Sequence, residues 1–132
     1  MVRGILGLFV GLGAAVLVIF AVESLGHLVY PVPAGLDPND PESIRAAMAS
    51  LPLGALLFVL GAWTVGAITQ GIVASKISGG RVAAYVGGVG LLASTFINLW
   101  TIPHPTWFAA AAVALLLAGT YVGISIGTPR RA

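Results

Sequence analysis

The chain has 132 residues, 58% hydrophobic and 8% charged, with six Lys and Arg, four Asp and Glu and a formal charge of +2. A soluble domain carries about 25% charged residues, so these proportions exclude one, and a mean hydropathy of +1.04 describes a chain spent almost wholly on crossing a bilayer. Cysteine is absent, which removes disulfides, thiolate catalysis and cysteine-held zinc or iron–sulfur clusters.

The first apolar run covers about 4–30, directly after Arg3, and is interrupted only by Glu23, Ser24 and His27. Its unbroken part, Ile5 to Val22, exceeds the roughly 7–15 residues of a signal-peptide core, so it reads as a retained helix. An outer loop fills 31–50. Its proline-rich start, Pro31 to Pro41, predicts a stiff extended cover, and a short interfacial helix follows. Asp40 suits the N-cap, Pro41 the first helical position and Glu42 the first turn, while Ile44, Ala47, Met48 and Leu51 fall on one face.

The second span covers about 51–75 and stops at Lys76. The third, about 82–102, follows the Gly79-Gly80 turn and ends at Pro103; the fourth, about 106–128, precedes Pro129-Arg130-Arg131. At about 1.5 Å per residue each crosses the hydrocarbon core of roughly 30 Å. The predicted fold is all-α: a membrane four-helix bundle, one domain over 1–132, with a short interfacial helix in the first outer loop.

Four crossings put Arg3, Lys76, Arg81, Arg130 and Arg131 on one side and Asp37, Asp40, Glu42 and Arg45 on the other. The positive-inside bias then predicts cytoplasmic termini in a bacterial inner membrane. Tyr30, Trp100 and Trp107 fit an outer aromatic belt, Tyr85 and Tyr121 an inner one. Trp63, mid-span, fits neither and reads as a packing residue or as part of a ligand space. The few basic residues are explained by this layout, so no nucleic-acid partner is expected.

Lipid tails are as apolar as leucine, so spans associate by close backbone approach or by hydrogen bonds. Small residues recur at spacings of four: Gly7 and Gly11, then Ala67, Gly71 and Ser75, then Gly119, Gly123 and Gly127, with Ala110, Ala114 and Ala118 as a second row on the last span. Most of these rows are expected to pack within the bundle. The Gly119–Gly127 row is the one expected to meet an external partner, either another copy or another membrane protein.

Glu23 and His27, four apart, share one helix face near the outer edge of the membrane, at a depth similar to Asn98 and His104. Four polar groups are expected to converge there. A carboxylate and two histidines suit three roles: a divalent metal held by Glu23, His27 and His104, a proton or cation site, or a plain structural pair pinning the loop. Gln70, nearer the inner side, is expected to bond a neighbouring helix. Thr64, Thr69, Ser94, Thr95 and Thr120 are expected to return their hydroxyls to their own helices. Phosphate loops, zinc-protease helices and nucleophile elbows are missing, so no enzyme activity is expected.

Around Glu23-Ser24-Leu25-Gly26-His27-Leu28-Val29-Tyr30-Pro31-Val32-Pro33-Ala34-Gly35-Leu36-Asp37 and Leu51-Pro52-Leu53-Gly54-Ala55 the chain resembles small bacterial four-span membrane proteins. That resemblance covers most of the length and implies no particular activity. Small multidrug exporters also share its size and a glutamate in the first span. Here, however, Glu23 stands close to the end of the span, and their Trp and Tyr setting is not present.

The residues leave three functional readings: an accessory or binding subunit acting through glycine-rich faces, an oligomeric transporter or channel using Glu23 and His27, and a subunit holding haem or chlorophyll through His27 or His104. None of these fixes a particular cofactor. The bilayer, further copies of the chain and other membrane proteins are the expected partners.

Overall fold

The computed structural model describes residues 1–129, and the expectation that Arg130 and Arg131 join the basic side lies outside them. The helices are α1 (Val2–Val29), α2 (Pro41–Ser50), α3 (Leu53–Ser78), α4 (Val82–Thr101) and α5 (Thr106–Gly127), with no strand among the described residues. All but α2 are long and apolar enough to cross a membrane. The chain is an all-α membrane bundle in which α3 packs against α1 on one side and α5 on the other. The helix α4 touches all three, and α1 and α5 do not meet among the described residues.

Each end of the bundle has a distinct make-up. A basic end carries Arg3, Lys76 and Arg81; a loop end carries the 31–40 segment, α2 and the turn between α4 and α5. Lys76 does not stop its helix, because its aliphatic stem continues it without strain. The stop comes at Gly79, whose φ of 71° is open to glycine and whose N–H caps the Ser75 carbonyl at 2.9 Å.

Small residues set how closely α3 is approached. A Cβ at Gly7 would stand 2.8 Å from the Ala74 carbonyl oxygen, and one at Gly11 2.9 Å from the Ala74 Cβ. On the opposite side Gly119, Gly123 and Gly127 lie on Thr64, Ile68 and Ile72, with Ala67 and Gly71 of α3 in the same seam. The expected external contact of the Gly119–Gly127 row is therefore corrected: α3 occupies it. The alanines of the second row, one residue earlier and so turned about 100° around the helix, face outward instead.

Two apolar clusters hold the interior: Leu56, Leu60, Phe108 and Ala112 toward the loop end, and Ala74, Ala84 and Ile124 toward the basic end. Gln70, fully buried, donates from Nε2 to the Ala84 carbonyl of α4 at 3.2 Å. Thr64, Thr69 and Ser94 return their hydroxyls to the carbonyl four residues back. No such bond is formed by Thr95 or Thr120 among the described residues. Thr120 turns its methyl toward Gly88, which leaves its Oγ1 buried without a partner.

Candidate functional site

The loop end is built from caps and turns. Asp40 accepts the N–H groups of Glu42 and Ser43 at 3.1 and 3.2 Å, which starts α2 behind Pro41. The Asp37 N–H donates to Ser43 Oγ and the Asn39 N–H to Asp37 Oδ1, both at 2.9 Å, so the proline-rich segment is tied to the helix that follows it. This turns Ile44, Ala47, Met48 and Leu51 inward, and Met48 and Leu51 reach the Leu56–Leu60–Phe108 cluster.

Beneath this roof lies a cavity of about 480 Å³ bounded by α1, α2, α3, the end of α4 and the loop. Its walls are mainly aliphatic and aromatic. Tyr30 closes one side, lying across Gly54 where any Cβ would displace its phenol, and its ring meets Phe58 edge-on at 6.1 Å. Glu23 and the exposed His27 line the cavity from α1, and among the described residues Glu23 is its sole carboxyl group and no Lys or Arg lines it.

Glu23 is held by a residue that the sequence reading did not pair with it. Trp63 Nε1 donates to Glu23 Oε1 at 3.1 Å, joining α3 to α1. The indole also meets Phe108 edge-on at 5.7 Å and His104 at 6.5 Å, and His104 stacks on Phe108 at 4.6 Å with 15° between the planes. His104 Nδ1 donates to the Ile102 carbonyl at 2.8 Å, which fixes the neutral ring with its Nε2 unprotonated. Burial holds this imidazole below its ordinary value of 6.5, opposed in part by the Ile102 bond. Trp63 and Asn98 line a second, smaller cavity of about 160 Å³, where the Asn98 Oδ1 has no partner.

Three of the four predicted polar residues are thus placed beside Trp63, namely Glu23, His104 and Asn98, while His27 is exposed at the Glu23 cavity, and the four form no hydrogen bond with one another among the described residues. Glu23 and His27 line the same cavity but form no ion pair; the sole pair among the described residues is Arg45 with Glu42. Ser24 bonds the Phe20 carbonyl at 2.7 Å, away from Glu23. Of the three roles the sequence leaves open, the metal set of Glu23, His27 and His104 finds no support in the geometry, since no three His, Asp or Glu among the described residues come together to hold an ion. The cause is visible in the packing: His104 is committed to Phe108 and Ile102 and does not line the Glu23 cavity.

One signal for the Trp63 bond was present in the sequence. At 1.5 Å per residue Glu23 stands about 9 Å from the loop end of α1 and Trp63 about 15 Å from that of α3, a gap that one indole can bridge. A buried indole N–H needs an acceptor, and Glu23 is the one carboxyl group in that half of the bundle's spans. Comparison with known families, with curated proteins and with solved structures returns no match, so the site's chemistry is read from its own geometry.

Proposed function

We propose that this chain is a small membrane-embedded binding protein whose loop-end cavity receives an amphipathic ligand, its apolar body under the 31–40 roof and its cationic head at Glu23. The observation that carries this reading is the cavity itself. A space of about 480 Å³ walled by apolar groups, with one carboxyl group and no Lys or Arg among the described residues that line it, fits a molecule that is mostly apolar and bears a positive charge. Tyr30 and Phe58 add ring faces that attract such a head. Trp63 holds one Glu23 oxygen and leaves the other unbonded among the described residues, so the carboxyl is oriented before the ligand arrives. By the charge bias of its ends, the loop end faces outward and the basic end faces the cytoplasm of a bacterial cell.

Trp63 supplies the test. In a Trp100→Phe, Trp107→Phe background within nanodiscs, decyltrimethylammonium should change Trp63 emission saturably. Glu23→Gln should weaken that response about tenfold, the loss expected for one desolvated charge contact. Equal binding of decyl sulfate, or indifference to Glu23→Gln, would refute the reading.

A further inference from the structure

A third cavity, at the opposite end of the bundle, is independent of the two above. It measures about 840 Å³ and lies between the starts of α1 and α4, with Arg3 and Arg81 in its wall beside Ile5, Leu8, Val82 and Val86. Arg3 is set in place by its Nε, which donates to the Ile77 carbonyl in the last turn of α3 at 3.1 Å, leaving the terminal nitrogens of the guanidinium free of other bonds among the described residues. Arg81 stands at the N-cap of α4 and forms no hydrogen bond there with its side chain among the described residues.

Among the described residues no carboxylate reaches either arginine. All four acidic side chains, Glu23, Asp37, Asp40 and Glu42, belong to the loop-end half, where the one ion pair among the described residues is found. Two guanidinium groups in one cleft without a counter-charge among the described residues call for an anion, and planar, forked donors suit a phosphate. The walls decide which kind of phosphate. Ile5, Val82 and Val86 are 57%, 77% and 51% exposed and give the cleft an apolar flank open to the bilayer. A free phosphate would leave that flank untouched, whereas a phospholipid covers both parts, its headgroup on the arginines and an acyl chain along α1 and α4.

We infer that the Arg3–Arg81 cleft is a binding site for an anionic phospholipid of the leaflet at the basic end. The test uses the full chain in phosphatidylcholine nanodiscs containing phosphatidylglycerol, with native mass spectrometry counting the lipid retained after release into detergent. Wild type should keep phosphatidylglycerol in preference to phosphatidylcholine. Arg81→Gln should lower retention about fivefold, and Arg3→Gln by a similar factor, about 1 kcal/mol per basic residue near a charged lipid surface. Lys76→Gln removes an equal charge from the same end without touching the cleft, and should leave retention unchanged. Because Arg3 also caps α3, the Arg81 variant carries the comparison if Arg3→Gln unfolds.

Three results would overturn the site. One is a loss with Lys76→Gln as large as that with Arg81→Gln, which would mean diffuse surface charge only. Another is displacement of the lipid by millimolar inorganic phosphate, which would mean a soluble anion. The third is equal retention of phosphatidylcholine.

Discussion

A tryptophan indole inside a membrane bundle carries one N–H that lipid cannot satisfy, and a glutamate there carries oxygens that lipid cannot solvate. The Trp63–Glu23 bond gives that N–H an acceptor and one of the carboxyl oxygens a donor. Membrane hydrogen bonds of this kind are worth about 0.6 kcal/mol on average and seldom above about 1.7, so its main effect is to aim the carboxyl group and only secondarily to hold α1 on α3. His104 shows how neighbouring chemistry is tuned. Stacked on Phe108 and partly buried, it takes up a proton less readily than a solvated imidazole, so the unfolded chain binds that proton first. Stability contributed by its neutral form is complete above pH 6.5 and is lost as the pH falls from there toward its lowered folded value. Thermal unfolding in detergent should therefore show a midpoint that drops below pH 6.5, and His104→Gln should flatten that dependence. An unchanged slope in the variant would assign the titration to another group.

At the scale of the helices, the four spans, the Asp40–Pro41 start of α2 and the small-residue rows are all legible in the sequence, because hydropathy, capping and spacing are local properties. What each row faces is not local. The Gly119–Gly127 row and the Ala110–Ala118 row have the same spacing on the same helix, and only the path of α3 decides which is covered. Trp63 was missed as a partner of Glu23 for the same reason, since its bond depends on the register of α3 against α1, which neither segment encodes alone. The two rows give a direct contrast. A side chain at Gly123 would press into the Ile68 backbone, so Gly123→Val should cost about 1–3 kcal/mol through overpacking. Ala114→Val, facing lipid, should change stability by less than about 0.5 kcal/mol. Unfolding in a denaturing detergent series reads both, and equal losses would place a partner on the alanine face.

Over the whole molecule, charge is sorted to opposite ends: carboxylates and caps build a roof at one, and arginines without carboxylate partners among the described residues flank a cleft with an exposed apolar side at the other. Between them α3 serves as the common wall, with small residues on one side for α1 and on the other for α5. The roofed cavity is the feature on which the functional account depends, and the absence of native cysteine allows it to be probed at a single position. Leu36 lines that cavity from the loop, so Leu36→Cys places one thiol inside it. Alkylation of this thiol by a small maleimide, followed with increasing decyltrimethylammonium, should slow with the same half-saturation as the Trp63 emission change, and the protection should vanish with Glu23→Gln. If the emission of Trp63 saturates while Leu36→Cys reacts at an undiminished rate, the ligand sits elsewhere and the cavity is not the binding site.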